Sequence, residues 1–164
     1  NTNILYMKKL FIVLMMAFCA NAQAQEIFNE IKHKAFDAVS NEQTLPIMKQ
    51  INQFKLDALN YLAISMQEQM PDAPVLYLDE QALGLNNFIT AYIMQLVKMN
   101  NMPDAAQVKI TKIFIDASVS NPLFNDKEEE PAHSYLNNAS SITRFSLDTD
   151  WPRALAAVQA QLKD

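Results

Sequence analysis

A chain of 164 residues with 13 basic and 18 acidic side chains carries a net charge of −5, and its 50% hydrophobic content suffices for one core. The acidity excludes the basic face that displaces counterions from nucleic acid. The lone glycine, Gly84, excludes glycine-rich phosphate loops, dinucleotide fingerprints and nucleophile elbows.

Met7-Lys8-Lys9 leads the apolar run Leu10 to Phe18, and Ala22 and Ala24 stand at −3 and −1 from Gln25. That pattern predicts a secretory signal peptide cleaved before Gln25, with a cut that uses Ala20 and Ala22 as the alternative. Asn1 to Tyr6 then lie upstream of the initiator Met7. The apolar run is too short, and too soon followed by polar residues, for a membrane span. Cys19 follows Phe18 where a lipid-attachment cysteine needs a small residue, so the expectation is release, not anchoring. Residues 1–24 are therefore read as upstream residues and leader, and 25–164 as a single exported domain, periplasmic or extracellular. Loss of Lys8 and Lys9 leaves 11 basic against 18 acidic side chains, a net charge of −7. This charge disfavours anionic bilayers. The remaining chain has no cysteine and no disulfide framework.

Hairpins and sheet corners lean on glycine, whereas Ala, Leu, Met, Gln, Glu and Lys favour helices, so the domain is predicted to be all-α. Ile27, Phe28, Ile31, Ala35 and Val39 share one face of a helix from Glu26 to Val39. A second helix, capped by Thr44 with Pro46 in its first turn, runs to about Gln69. Pro71 and Pro74 predict a loop, after which Asp79 caps a third helix reaching about Asn100. The wide apolar arc of Leu85, Phe88, Ile89, Tyr92, Ile93, Leu96 and Val97 makes this third helix the central one. A fourth spans about Asp104 to Ser118, although "VKITKIFI" is β-branched enough to fit a strand. About 25 irregular residues follow, in which Phe145 and Leu147 alternate with polar neighbours as an extended segment would. The last helix runs from Trp151 to about Leu162. The expected architecture is a compact bundle of about five helices with an extended irregular segment before the last.

Glu30 and His33 stand at i, i+3, half of a di-iron ligand set, but the second Glu-x-x-His is missing, so no metal is assigned. Asp126, Glu128, Glu129 and Glu130 lack the spacing and glycine of a calcium loop and read as a solvated loop or a contact for a basic partner. Asn138-Ala139-Ser140 matches a glycosylation acceptor that matters only in a eukaryotic host. Met48, Met66, Met70, Met94, Met99 and Met102 sit at helical spacing and suit core filling. Phe54, Leu62, Phe88, Tyr92 and Phe114 are the candidate lining for an apolar ligand held between helices. The densest polar cluster is "LDTDWPR". Its Asp148 and Asp150 are reserve candidates for two-carboxylate hydrolysis, with Trp151 raising one acid. The structural reading makes Asp150 the cap of the last helix, Pro152 a first-turn residue and Trp151 its anchor.

"NEQTLPIMKQINQFKLDALNYLAI", "QALGLNNFITAYI", "DASVSNPLFND" and "SITRFSLDTDW" together resemble a family of small secreted proteins of Bacteroidetes. The resemblance, from about Glu26 to Trp151, implies a Gram-negative exported protein and brings no catalytic residues. The sequence thus points to an exported, non-catalytic binding protein without a cofactor, whose partner is a protein or a small apolar ligand. An apolar-ligand carrier and the Asp148/Asp150 hydrolase are the alternatives.

Overall fold

The computed structural model describes residues 25–126 and 129–163. The leader, Cys19, Ala22, Ala24 and Glu128 lie outside those residues. Six helices appear among them: α1 Glu26–Ser40, α2 Pro46–Gln69, α3 Val75–Met99, α4 Asp104–Val119, the short α5 Glu130–His133 and α6 Trp151–Gln161. The described chain is all-α, with no strand. The β-branched "VKITKIFI" lies within α4. No described helix is long and apolar enough to cross a membrane.

Proline marks most of the helix starts. Pro46 opens α2, and Pro74 and Pro103 stand immediately before α3 and α4. Its fixed φ and missing N–H suit a first turn, where that donor has no helical partner. Two expectations need correction here. The third helix begins at Val75, because Pro74 is its entry residue and not the end of a loop. Asp79 consequently lies inside α3, and its carboxylate caps α1 instead, accepting the N–H groups of Gln25 at 3.0 Å and Phe28 at 2.8 Å. Thr44 also does not cap α2, whose N-cap is Leu45, with no side-chain hydrogen bond.

α3 is the central helix, in contact with α1, α2, α4 and α6, while α6 packs between α3 and α4. Leu85, Phe88, Ile89 and Tyr92 on α3 are buried, as are Phe54, Leu59 and Leu62 on α2, Phe114 on α4, and Trp151 and Val158 on α6. Between α5 and α6 the chain first turns at the surface over residues 134–140 and then passes through this core without helix or strand. Thr143 and the run from Phe145 to Thr149 are buried, with Arg144 exposed between them, so this strap is enclosed over most of its length.

Rings tie the strap to the helices. Phe145 meets Phe54, Phe88 and Tyr92 edge-on at 5.6, 5.2 and 5.0 Å between centroids. Trp151 meets Phe54 at 5.9 Å and Phe88 at 5.3 Å in the same manner. Such pairs contribute about 0.5–1.5 kcal/mol each beyond their buried area.

Gly84 is where α6 touches down on α3. A Cβ there would stand 2.6 Å from Pro152 Cδ and 2.7 Å from Pro152 N. Glycine thus permits a close approach between helices in a place where no turn is needed. Gly84→Ala should cost about 1–3 kcal/mol by overpacking, although alanine favours a helix interior by about 1 kcal/mol over glycine. Chemical denaturation measures the outcome, and Pro152→Ala in the same chain should recover only part of the loss, because the backbone nitrogen at 152 stays 2.7 Å from the added Cβ. A raised midpoint for Gly84→Ala alone contradicts the close approach.

Candidate functional site

In "LDTDWPR" the side chains of Asp148, Thr149 and Asp150 each have a partner within the fold. Asp148 is 3% exposed. Its Oδ1 accepts the N–H groups of Leu123 at 2.9 Å and Phe124 at 2.8 Å, and its Oδ2 accepts that of Asp126 at 2.7 Å. Charge-assisted bonds of this kind are about twice as strong as neutral ones. They hold the loop after α4 against the strap. Asp150 N–H donates to Asn121 O at 2.8 Å, adding a fourth tie to the same loop.

The hydroxyls form a second network. Ser118 Oγ accepts the N–H of Ser146 at 2.9 Å and lies 2.8 Å from Thr149 Oγ1, which donates to Ser146 O at 2.7 Å. Leu147 N–H donates to Ala132 O at 3.0 Å, fastening α5 to the strap. Asp150 then caps α6, its Oδ1 accepting Arg153 N–H at 3.4 Å. The same oxygen accepts Gln81 Nε2 at 3.1 Å, and Gln81 Oε1 accepts Trp151 N–H at 3.0 Å. One buried glutamine on α3 therefore clamps the start of α6. Trp151 Nε1 is buried with no acceptor among the described residues. The full burial of its ring offsets that cost.

An acid-lined cleft of about 350 Å³ lies beside this cluster, between Tyr61, Ser65, Glu68 and Gln69 of α2 and Asp126 and Glu129. Tyr61 O–H donates to Asp126 Oδ2 at 2.5 Å, and Gln69 Nε2 reaches both oxygens of that carboxylate. Burial, then the hydrogen bond and charge of Asp126, push the Tyr61 phenol well above its usual range. Burial and the 2.6 Å bond to Asp57 do the same for Tyr135. Both phenols are held as proton donors, far from the near-neutral range that suits a general acid or base.

The other sequence candidates are dispersed. Phe54, Leu62, Phe88, Tyr92 and Phe114 are at most 2% exposed and belong to the packed centre, where Phe88 and Tyr92 lie 5.3 and 5.1 Å from Phe114. The open apolar surface is elsewhere. Ile47, Met48, Ile93, Leu96, Val97 and Ile142 line a groove of about 320 Å³ with no charged residue in its walls. His33 pairs with Asp37 on an exposed face of α1 at 3.3 Å. No group of three or more metal-ligating side chains occurs among the described residues. Of the methionines, Met66 and Met99 are buried while Met94 and Met102 are exposed. Asn138 Oδ1 accepts Ser140 N–H and Oγ–H, closing a local turn.

Gln81 and Ser118 escaped sequence reasoning. For Gln81 a signal existed, since it falls on the stripe of Leu78, Ala82 and Leu85, where a polar residue must find a buried partner. No protein-family model, curated protein or solved structure matches the chain.

Removing the Asp148 carboxylate strands three backbone donors, so Asp148→Ala should cost about 2–4 kcal/mol. Asp150→Ala removes a helix cap and should cost about 0.5–2 kcal/mol. Denaturation of both variants tests the ranking. A larger loss for Asp150→Ala contradicts the primacy of Asp148.

Proposed function

We propose that the chain is an exported, non-catalytic binding protein that takes apolar side chains of a partner protein into the groove between α2 and α3. The observation that carries this reading is the groove itself. Ile47 is 48% exposed and Val97 71% exposed beside an uncharged wall, on a chain with a strong acidic excess. Exposed apolar surface gathered in one place marks interaction sites. Acidic charge disfavours an anionic bilayer as the occupant, and an open groove between two helices, without an enclosed cavity, favours a protein segment over a small ligand. The lysine-led leader supports export, and the resemblance to secreted Bacteroidetes proteins agrees with it. The engagement of Asp148 and Asp150 by the fold's own donors supports a role without catalysis.

A photo-crosslinker placed at Val97 in the native host tests the proposal. The expected result is one discrete protein adduct, identified by mass spectrometry, that Ile47→Asp abolishes while helical circular dichroism is unchanged. A lipid or small-molecule adduct, or the same products from a crosslinker at exposed Lys34, contradicts it.

A further inference from the structure

Asp79 is a carboxylate 5% exposed, in the interior of α3. It makes no ion pair among the described residues. Its two bonds go to backbone N–H groups more than fifty positions away, one oxygen to Phe28 and the other to Gln25. A buried negative charge without a cation is costly, and each carboxylate oxygen has room for more than one donor. Gln25 shows a second anomaly: its φ is +87°, in the left-handed region that disfavours residues with a Cβ. Part of that disfavour is the clash between the Cβ and the preceding carbonyl. A residue at the start of a chain has no preceding carbonyl, so this part of the strain vanishes there.

Both anomalies meet at the nitrogen that leader removal would free. We infer that the amine released at Gln25 docks as an ammonium on the Asp79 carboxylate, so that processing of the leader completes the start of α1. The inference rests on export with cleavage before Gln25. In that step a signal peptidase directs water onto the Ala24–Gln25 amide. The C–N bond breaks, Ala24 keeps a carboxylate, and the Gln25 nitrogen takes up protons to become an ammonium. The 3.0 Å contact from Gln25 to Asp79 then changes from a neutral donor on a carboxylate to an ion pair, with bonds of the strong, doubly charged kind. Among the described residues the core begins at Phe28, so a chain that starts at Gln25 keeps that core. The cleft that Gln25 shares with Phe28, Met66, Met70, Val75 and Leu78 has no ionisable lining. The titratable groups next along the packed elements are Glu26 on α1, Glu68 near the end of α2, Asp72 in the loop before α3, and Tyr77 and Glu80 on α3. None of these is a cation; of the lysines beyond them, Lys32 on α1 holds its Nζ 5.7 Å from the Phe28 ring centroid and Lys55 on α2 donates to Asn86, and neither pairs with Asp79.

Chains that begin at Gln25, with the amine free or acetylated, and with Asp79 or Asp79→Asn, test this by thermal unfolding. Intact mass confirms that Gln25 has not lost ammonia by cyclising. With Asp79 present, the free-amine chain should melt several degrees above the acetylated one, and Asp79→Asn should erase the difference. The sign with pH follows from the ammonium being favoured in the folded state, which raises the amine's pKa above its usual value of about 7.7. The advantage is fully present below that value and disappears as pH rises through the folded one. Equal melting of the two Asp79 chains overturns the docking and leaves export untouched. N-terminal sequencing of the exported chain separates the remaining cases. A start at Gln25 agrees, a start at Gln23 overturns the docking though the chain is exported, and a retained leader refutes export itself.

Discussion

A stretch of extended chain buried among helices has no neighbouring strand to receive its N–H and C=O groups, and a buried backbone group left unpaired costs free energy. Phe145 to Thr149 is such a stretch, and its solution shapes the rest of the molecule. The strap draws its partners from three places: α5 through Ala132 O, the end of α4 through Ser118, and the loop after α4 through Asn121 and the amides that Asp148 gathers. This explains why a buried segment is written with Ser, Thr and Asp. The hydroxyls of Ser146 and Thr149 bond carbonyls of α5 and the strap, and the Asp148 carboxylate gathers the amides of the adjoining loop.

The strap also sets where the last helix lands. Asp148 fixes its end to the loop, Asp150 caps α6, and Gln81 reaches from α3 to hold both Asp150 and Trp151. Pro152 then seats on Gly84, and the indole fills the space between Phe54 and Phe88. Aromatic packing supplies most of the burial. The polar bonds determine that α6 can occupy one position only, since a slide by one turn would strand Gln81, Asp150 and the close approach together.

Much of this was legible in the sequence. The lone glycine and the helical spacing of Phe88, Tyr92 and their neighbours pointed to an all-α bundle around a central third helix. Asp150-Trp151-Pro152 announced a capped and anchored helix start, because those bonds are local. What was not legible depends on partners far along the chain. Asp148 serves donors 22 to 25 residues away, and Asp79 serves a helix 51 residues earlier, so no local pattern marks either. Pro74 misled because proline both ends loops and opens helices. The alternation at Phe145 and Leu147 suggested an extended segment, and only the arrangement of helices around it buries Ser146 and Thr149 as well.

The same physics bears on function. A site for chemistry keeps reactive groups available, whereas the polar cluster that stands out in this sequence is consumed by its own fold. The uncharged apolar groove between α2 and α3 stays open, and it is the surface proposed for recognition. The account therefore stands or falls on whether the strap and its loop are as rigid as the core. Native-state hydrogen exchange at the amides of Leu123, Phe124 and Asp126 measures this directly. If Asp148 holds them as described, they exchange only through global unfolding, with the same free energy as the core of α3. Exchange at the rate of an open surface loop would contradict the account.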